Sequence, residues 1–259
     1  MSDAATHRIE RAGAVATVTL DRPDALNAQT RASRRALARD LRALSDDTAV
    51  RCVVLTGEGR AFCAGQDLRE EGALADVDET IRETYVPIIS ALVEMPKPVI
   101  AAINGAAAGA GLSFALACDV RYLAEDAVLM MAFSNIALVP DSGGSWLLPR
   151  IVGYARAFEL AATGRRVRSG EALALGLVQR VLPGDELLPA THELAVALAA
   201  RPTLALGWTK RLLRAAEESS LGDVMELEAQ LQAAAVQTRD HAEGVAAFLE
   251  KREPRFEGH

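Results

Sequence analysis

The sequence has no long uninterrupted apolar run. Half of its 259 residues are hydrophobic, but Gly, Asn, Asp or Arg interrupts the apolar stretches before any reaches the roughly 18–20 residues of a membrane span. The N-terminal stretch MSDAATHRIERAG contains neither an apolar core nor a cleavage signature. We therefore expect no membrane segment and no targeting segment, and we predict a cytoplasmic protein.

Cysteine and histidine are scarce, and positive charge is not in excess. The three cysteines, Cys52, Cys63 and Cys118, are scattered among apolar residues, which is typical of a reducing compartment and not of a disulfide framework or a metal cluster. With four histidines in the chain, we expect no metal site. The formal net charge of −7 argues against a nucleic-acid partner, which requires a basic face.

Positive charge is nevertheless concentrated at two places. The two clusters are Arg31, Arg34 and Arg35, and Arg165, Arg166 and Arg168. Either cluster can attract an anionic ligand, although a solvated face of a helix or loop is the simpler interpretation of each. The sequence leaves both interpretations open.

Short β-branched runs alternate with helical patterns over the first three quarters of the chain. The runs are AVATVTL (14–20), RCVVLTG (51–57), KPVIAAING (97–105) and DVRYLAED (119–126). Between the first two, Leu37, Leu41 and Leu44 recur at the spacing of one helix face, in a stretch that begins at Gln29. This alternation predicts a mixed α/β fold with buried, largely parallel strands.

From about Leu187 the strand signal stops. Three helical stretches follow, ELLPATHELAVALAA, TLALGWTKRLLRAAEESS and DVMELEAQLQAAAVQ, separated at Arg201-Pro202 and Leu221-Gly222. We therefore divide the chain into a core of residues 1–195 and a helical region of residues 196–259, which we expect to pack on a neighbouring subunit. The acidic, charge-mixed segment 69–83 predicts a mobile loop that leads into a helix.

Two glycine-containing turns follow predicted strands. RAFCAGQDL (60–68) comes directly after Thr56-Gly57, and INGAAAGAGLSFALACD (103–119) joins a strand to an apolar helix. Because free N–H groups occur at turns and in first helical turns, two such turns can aim two N–H groups at one oxygen, as in an oxyanion hole. The alternative is close helix–strand packing through Gly and Ala. Neither turn has the spacing of a Walker loop or of a dinucleotide-binding loop.

The stretch LVPDSGGSWLLPR (138–150) places one carboxylate, Asp141, between a proline and two glycines, with apolar residues on either side. An Asp at this point is a good N-cap for a helix through Leu147 and Leu148. An acid in an apolar pocket is also a suitable proton carrier, because burial raises its pKa toward neutral. The residues alone leave both roles open, and one residue can serve both.

Six segments, in order, resemble the enoyl-CoA hydratase/isomerase (crotonase) superfamily over nearly the whole chain. They are LDRPDALNA (20–28), LTGEGRAFCAGQDL (55–68), PKPVIAAINGAAAGAGLSFALACDVR (96–121), LVPDSGGSWLLPRIVG (138–153), TGRRVRSGEALALGLVQRVLP (163–183) and HAEGVAAFLEKREPRF (241–256). The resemblance implies a spiral of ββα units, a C-terminal helical trimerisation region, and a homotrimer or a hexamer of two trimers. It also implies an acyl-CoA thioester substrate, with coenzyme A as part of the substrate and no separate cofactor.

The resemblance also implies roles for residues of the two turns and of the Asp141 segment. The oxyanion N–H donors fall on Gln66 and Ala110. The CoA moiety is expected to run past Asp24, Ala25 and Leu26, and past the backbone of Ala64, Gly65, Asp67 and Leu68. The residues expected to line the substrate site are Gly109, Phe133, Leu138, Val139, Trp146 and Leu147. Lys251 is a candidate contact for a CoA phosphate of a neighbouring subunit, with a solvated lysine as the alternative.

The resemblance finally bears on the reaction. Hydratases of the superfamily position water with two glutamates, and the corresponding residues here are Ser113 and Phe133. Isomerase members carry a carboxylate at the position of Asp141, which takes a proton from C2 and returns it to C4. VPDSGGSWLLPR is most similar to the 2-(1,2-epoxy-1,2-dihydrophenyl)acetyl-CoA isomerase branch of phenylacetate breakdown. We favour an acyl-CoA isomerase, with another crotonase-fold hydratase, lyase or hydrolase, or a non-catalytic acyl-CoA-binding protein, as alternatives.

Overall fold

The computed structural model describes residues 6–73 and 75–259. The predictions for residues 1–5 of the N-terminal stretch, and for Leu74 of the segment 69–83, lie outside the described residues. Within the two described ranges, no helix combines the length and the apolar character needed to cross a membrane.

Strands and helices alternate along most of the described chain. The strands are β1 (His7–Ala12), β2 (Val15–Leu20), β3 (Cys52–Gly57), β4 (Ala61–Cys63), β5 (Val99–Ile103), β6 (Ala106–Ala108), β7 (Val120–Ala124), β8 (Val128–Met130), β9 (Val167–Arg168) and β10 (Arg180–Leu182). The helices are α1 (Arg31–Asp46), α2 (Val77–Thr80), α3 (Val86–Glu94), α4 (Ala110–Ala117), α5 (Gly144–Val152), α6 (Tyr154–Thr163), α7 (Ser169–Ala174), α8 (Gly184–Ala199), α9 (Thr203–Ala215), α10 (Leu221–Ala235) and α11 (Arg239–Glu250). A π-helical turn (Ile81–Tyr85) joins α2 to α3, and 3-10 turns span Pro23–Ala25 and Ala132–Ile136.

The strands form two sheets. In the part of the chain that the structure describes, the larger sheet has the order β1-β2-β3-β5-β7-β10 and the smaller has the order β4-β6-β8-β9. Neighbouring strands are parallel except in the β1–β2 and β8–β9 pairs. Strands covered on both faces are predominantly apolar, and every residue of β3 and β5 is buried. The predicted α/β fold with largely parallel strands is confirmed.

From β3 to β8, successive strands alternate between the two sheets. The strands β3, β5 and β7 enter the larger sheet, and each is followed within a few residues by β4, β6 or β8 in the smaller one. Helices then return the chain to the next turn, α2 and α3 after β4, and α4 after β6. This repeat is the predicted spiral of ββα units. It lays the carboxyl ends of β4, β6 and β8 side by side, because these neighbours are parallel.

The amphipathic helix predicted between the first two β-branched runs is α1. Its N-cap is Thr30, whose hydroxyl oxygen accepts a hydrogen bond from the Ser33 N–H at 3.2 Å. Leu37, Leu41 and Leu44 lie on one face of the helix and are buried in the core. The 3.6-residue periodicity therefore identified both the helix and its inward face.

The C-terminal quarter is helical, as predicted, but one helix boundary was misplaced. Leu221-Gly222 does not separate two helices and instead forms the first turn of α10. Ser220 is the N-cap, because its hydroxyl accepts from the Asp223 N–H and the Asp223 carboxylate accepts from the Ser220 N–H. The break between α9 and α10 lies at residues 216–220. A capping box just before Leu221 thus overrides the helix-breaking tendency of the glycine.

The division after residue 195 falls inside a helix. That helix, α8, packs against β3, β5 and β7 of the larger sheet, so it belongs to the core for its whole length. The next interruption of helical structure is at residues 200–202, before α9. The helices that follow it, α9 to α11, make up the remainder of the C-terminal region.

α4 approaches β4 so closely that residue 111 has to be glycine. A Cβ atom built on Gly111 would lie 2.1 Å from the Cys63 carbonyl oxygen and 2.8 Å from the Cys63 Cβ. Cys63 is the last residue of β4 and is fully buried, so it has no space to move away. The contact presses the start of α4 against the end of β4, and this is the packing role that small residues suggested for the second turn.

Gly111→Ala is expected to lower the free energy of unfolding by roughly 1–3 kcal/mol, because the added methyl group overlaps backbone atoms. Gly170→Ala is the matched control. No atom lies within 4 Å of a Cβ at that position in α7, and Ala is the better helix former. Urea unfolding followed by circular dichroism measures both variants. Equal stability of the two variants would contradict the close packing of α4 on β4.

Candidate active site

The carboxyl ends of three parallel strands meet at one edge of the smaller sheet. β4 leads into residues 64–66, β6 leads into Gly109 and the start of α4, and β8 leads toward the 3-10 turn Ala132–Ile136. Ligands of parallel sheets bind in the crevice beyond the carboxyl ends of the strands. The two glycine-containing turns predicted from the sequence therefore lie next to each other at a favourable place for a ligand.

Gly65 marks the point where the two turns touch. Its φ of +92° lies in the region that favours glycine. A Cβ built on Gly65 would lie 3.4 Å from the Ala110 nitrogen and 2.9 Å from the Ala108 carbonyl oxygen. Because residue 65 has no side chain, the two backbones approach within van der Waals distance.

Two N–H groups of these turns have no acceptor among residues 6–73 and 75–259. Gln29 pairs with the chain on both sides of Gln66: its N–H donates to the Gly65 carbonyl at 2.7 Å, and its own carbonyl accepts from the Asp67 N–H at 3.0 Å. The Gln66 N–H makes no hydrogen bond in this pairing. The Ala110 N–H is the first of α4 and has no acceptor within the helix. Both predicted oxyanion donors are thus available to a ligand oxygen.

A cavity of about 220 Å³ lies beside these donors. Its lining residues are Ala64, Gly65, Gln66, Leu68, Tyr85, Gly109, Ala110, Ala132, Phe133, Asn135, Ile136, Leu138 and Asp141. Leu68, Ile136 and Leu138 form its rim and are 52, 50 and 38 % exposed. The structure therefore brings Gln66, Ala110 and Asp141 together at one largely apolar cavity.

Asp141 is held at the cavity by a left-handed turn. Ser142 has a φ of +51°, and its hydroxyl donates to Asp141 Oδ1 at 2.7 Å. Burial raises the pKa of the half-buried Asp141 carboxyl above its ordinary value of 3.8, while the Ser142 hydrogen bond and the positive charge of Arg34 oppose that rise. Within the described chain, Oδ2 accepts no hydrogen bond. One oxygen of a partly desolvated acid is therefore free to exchange a proton with a ligand.

The Asp141 side chain does not cap the following helix. α5 begins at Gly144, with Gly143 as the N-cap residue and no side-chain cap. Asp141 contacts the helices through its backbone carbonyl, which accepts from the Gly144 N–H at 2.8 Å and from the Ser113 hydroxyl at 3.3 Å. The interpretation of its carboxylate as a helix cap is therefore wrong.

Ser113 and Phe133, which correspond to the hydratase glutamates, provide no acidic side chain to the cavity. Ser113 is fully buried, and its hydroxyl donates to the Asp141 carbonyl. Phe133 lines the cavity, where its ring lies against Gly109. Of the other predicted wall residues, Leu138 lines the cavity, whereas Val139 is 79 % exposed to solvent. Asp141 is thus the carboxylate among the described lining residues.

Trp146 does not line this cavity, contrary to expectation. Its indole N–H donates to Glu218 at 3.0 Å, and the Arg150 guanidinium lies 3.8 Å from its ring centroid. Trp146 and Leu147 belong to a face of α5 that lines a separate cavity of about 390 Å³ beside α9. The physical reason is that these contacts with Glu218 and Arg150 hold the indole on the side of α5 that faces α9.

The segment expected to contact the CoA moiety adjoins the cavity. The Ala64 N–H donates to the Leu26 carbonyl at 3.0 Å, which places the turn of Asp24, Ala25 and Leu26 beside the end of β4. Asp24 is exposed to solvent. Lys251 is also exposed and lies at the C-terminal end of α11. The turn predicted to contact the CoA moiety therefore lies beside the end of β4, and Asp24 and Lys251 lie on the surface.

Asp67 shapes the turn that carries Gln66. Its buried carboxylate accepts hydrogen bonds from the Arg22 guanidinium at 2.9 Å and from the Arg69 N–H at 3.2 Å. A charge-assisted bond of this kind fixes backbone geometry. The side chain of Asp67 is therefore occupied within the protein, and so are its backbone N–H and carbonyl, which pair with Gln29 and with the Glu70 N–H.

Tyr85 and Asn135 line the cavity and were not predicted from the sequence. Tyr85 ends the π-helical turn between α2 and α3, and Asn135 lies in the 3-10 turn after β8. Burial raises the pKa of the Tyr85 hydroxyl above its ordinary value. The one available signal was the position of Tyr85 two residues after the acidic segment 69–83, which follows the first glycine-containing turn.

Residues 10–259 match the enoyl-CoA hydratase/isomerase family. The chain is similar to the 1,2-epoxyphenylacetyl-CoA isomerase of Escherichia coli (strain K12), with 41 % identity over 249 residues that cover 94 % of this chain and 95 % of the relative. It is also similar to a Rhodobacter capsulatus protein named "Probable enoyl-CoA hydratase", with 42 % identity over 254 residues and 98 % of both chains covered. The crystal structure of an enoyl-CoA hydratase from Bacillus anthracis matches with a TM-score of 0.91 and 35 % identity, covering 98 % of this chain and 100 % of that one. The chain therefore belongs to the enoyl-CoA hydratase/isomerase family.

Proposed function

We propose that the protein is an acyl-CoA isomerase that moves a double bond of the acyl group, with Asp141 as the acid and base. One observation carries this function: Asp141 lines the same cavity as the Gln66 and Ala110 backbone donors. A single carboxylate beside an enolate suffices to transfer a proton between two carbons of one substrate. Water addition, in contrast, would use two acidic side chains, and the corresponding positions here carry Ser113 and Phe133, which are not acids.

In this mechanism, the thioester carbonyl oxygen accepts hydrogen bonds from the Gln66 and Ala110 N–H groups. The donors stabilise the negative charge that develops on the oxygen when C2 loses a proton, and each such donor typically contributes roughly 10²–10³ in rate. Asp141 takes the C2 proton of a Δ3-enoyl group, which gives a dienolate, and returns the proton at C4. The double bond then lies between C2 and C3. Protons and electrons balance within the substrate, so the mechanism uses no separate cofactor.

Two kinds of acyl group are proposed for this site, a Δ3-enoyl chain and the ring epoxide of phenylacetyl-CoA, which would give oxepin-CoA. The Escherichia coli relative is named a 1,2-epoxyphenylacetyl-CoA isomerase. Leu68, Phe133 and Ile136 provide the apolar surface that a chain or a ring requires. We place the enzyme in the cytoplasm, where its free cysteines stay reduced. Turnover of both substrates by the purified protein compares them directly.

A hydratase is the second candidate, because the Rhodobacter capsulatus relative is named as one. Hydration would require another group to position water with Asp141 in a cavity that Phe133 partly fills. Rapid hydration of crotonyl-CoA, together with slow isomerisation of a Δ3-enoyl-CoA, would favour this candidate. Tight binding of acyl-CoA without turnover in either assay would favour a non-catalytic binding protein.

We also propose assembly as a homotrimer or as a hexamer of two trimers, through the C-terminal helices. Large apolar side chains on α9, α10 and α11 are 57–82 % exposed in the single chain. They are Leu213, Leu221, Met225, Phe248 and Leu249. Exposed apolar surface of this kind favours association between copies of a chain.

Asp141→Asn is expected to lower kcat for conversion of a Δ3-enoyl-CoA to the Δ2 product by at least ~10²-fold, because an amide cannot accept the C2 proton. The absorbance of the conjugated product measures the rate. Asp126→Asn is the matched control, since Asp126 is exposed in the turn between β7 and β8, and it should retain the wild-type rate. Wild-type turnover by Asp141→Asn would remove Asp141 from the mechanism.

The same variant separates catalysis from stability. A raised pKa means that the folded state disfavours the ionised form of Asp141, so the stability that this group contributes is present below its unfolded-state pKa and lost as pH rises through its folded-state pKa. Asn carries no charge, and at about pH 8 Asp141→Asn should be at least as stable as the wild type in urea. A loss of more than about 1 kcal/mol would instead indicate a structural carboxylate.

The isomerase rate is expected to fall as pH decreases through the raised pKa of Asp141, because only the carboxylate accepts a proton. The midpoint of the kcat profile should lie above 3.8, the ordinary value for Asp. Ser142→Ala removes the hydrogen bond that favours the ionised form, so it should move the midpoint to higher pH. A midpoint that moves to lower pH in this variant would contradict the assignment.

Light scattering during size-exclusion chromatography is expected to give three or six times the chain mass of 27.5 kDa. Phe248→Glu should shift the protein toward smaller species, because it places a charge on the exposed apolar face of α11. Val139→Glu changes an exposed apolar residue outside the C-terminal helices and should preserve the assembly. A monomeric wild-type protein would show that these helices do not mediate assembly.

A further inference from the structure

Arg34 is a buried arginine that forms no ion pair with any described carboxylate. It lies three residues before Leu37 on the inward face of α1 and is 1 % exposed. Its guanidinium donates hydrogen bonds to Thr84 Oγ1 at 2.8 Å, to the Gln29 carbonyl at 2.9 Å and to the Tyr85 hydroxyl at 3.3 Å. It is therefore neither a solvated charge nor a surface anion site. Burying a charge among neutral partners costs free energy of folding, so we expect Arg34 to have a functional role.

Arg34 is connected through Gln29 to the backbone around Gln66. The Gln29 carbonyl that accepts from Arg34 also accepts from the Asp67 N–H, and the Gln29 N–H donates to the Gly65 carbonyl. Gln29 thus holds the residues on either side of Gln66, and Arg34 holds Gln29. The orientation of the Gln66 N–H depends on this short chain of hydrogen bonds.

Arg34 is also connected through Tyr85 to the side chain of Gln66. The Tyr85 hydroxyl, which accepts from Arg34, donates to Gln66 Oε1 at 3.4 Å. The Arg34 guanidinium also lies 4.5 Å from the centroid of the Tyr85 ring, a cation–π arrangement that fixes the ring. The Gln66 amide in turn donates to the Ala73 carbonyl. Backbone and side chain of Gln66 are therefore both connected to the same buried cation.

The charge of Arg34 also reaches the cavity. It opposes the rise in the pKa of Asp141, and the charge of Asp141 in turn adds to the raised pKa of Tyr85. Tyr85 and Asp141 line the same cavity and Arg34 contacts Tyr85, so the three groups lie close together. A negative charge that forms on a ligand between Gln66 and Asp141 would be stabilised by the same cation.

We propose that Arg34 is a positioning residue for the oxyanion hole: through Gln29 and Tyr85 it orients the Gln66 N–H, and its charge stabilises the thioester enolate. This inference rests on the proposed function, because the enolate is the species that the hole would hold. Arg34 does not touch the substrate. Its effect is on the polarity of the thioester carbonyl and on kcat, and only weakly on the affinity for the acyl-CoA.

Arg34→Met tests this role, because methionine fills a buried site without a charge or a hydrogen-bond donor. We expect kcat for Δ3-enoyl-CoA isomerisation to fall by at least ~10-fold, while KM stays within ~3-fold of the wild-type value. This decrease in kcat is smaller than the decrease expected when a whole oxyanion donor is lost. Arg35→Met is the matched control on the same helix. Arg35 is exposed and pairs with Glu83, so this variant should keep the wild-type constants.

A second measurement does not depend on turnover. Hexanoyl-CoA labelled with carbon-13 at its thioester carbonyl has no double bond to move, and its carbonyl stretching frequency in the infrared spectrum reports on the hydrogen bonds it accepts. Binding to the wild type should lower this frequency, and in Arg34→Met the lowering should be at most about half as large. An equal shift and an equal kcat in the two proteins would overturn the role of Arg34.

Two further variants serve if Arg34→Met does not fold. Arg34→Lys keeps the charge and loses the forked geometry, and Tyr85→Phe keeps the ring and loses the hydroxyl that connects Arg34 to Gln66 Oε1. Both should give carbonyl shifts and kcat values below those of the wild type, and wild-type values in both would overturn the inference. These experiments also separate this inference from the proposed function. If the wild type had no isomerase activity but its carbonyl shift still depended on Arg34, the proposed reaction would be refuted and the positioning role of Arg34 would stand.

Discussion

The parallel pairing of β4 with β6 is the constraint on which the rest of the site depends. The two strands end side by side, and the chain beyond each end supplies one N–H group that has no acceptor in the described chain, that of Gln66 or that of Ala110. The distance between these groups is set by contacts that leave no room for a side chain, at Gly65 and at Gly111. A slip of one residue in this pairing would turn one donor away from the other. The fold and the proposed oxyanion hole therefore depend on the same strand pairing.

The electrostatics of the cavity balance two opposing effects. Burial makes Asp141 a stronger base by raising its pKa, whereas the Ser142 hydroxyl and the Arg34 charge keep the ionised form accessible. A base must be strong enough to take a proton from carbon and must also be ionised when the substrate binds, and the two effects serve these opposite requirements. In the proposed mechanism, Asp141 uses the balance twice, first to remove a proton and then to return it.

Much of the fold was predictable from periodicity, whereas the site was predictable only in part. The β-branched runs at 14–20, 51–57, 97–105 and 119–126 correspond to β2, β3, β5 and β7, because buried parallel strands are predominantly apolar. The helix-capping role of Asp141 was wrong because Ser142 and Gly143 have left-handed conformations and α5 begins only at Gly144. The expected location of Trp146 was wrong because its indole is held by Glu218, which is distant in sequence.

Other parts of the site had no local signal at all. Arg34 belongs to an arginine cluster that resembles a solvated helix face, and its burial follows from the register of α1 against the π-helical turn before α3. Its contacts with Thr84 and Tyr85 join residues about fifty positions apart in the sequence. Such pairings are set by tertiary packing, which composition and spacing do not encode residue by residue.

The apolar rim of the cavity has a thermodynamic consequence. Leu68, Ile136 and Leu138 remain partly in contact with water while the cavity is empty, although they border the place where the acyl group would lie. A bound acyl group would cover them and release their hydration water, so its association should be accompanied by a negative change in heat capacity. Selectivity among acyl groups would then follow the area of hydrocarbon that each removes from water, while the thioester end, held by fixed dipoles, stays common to all of them.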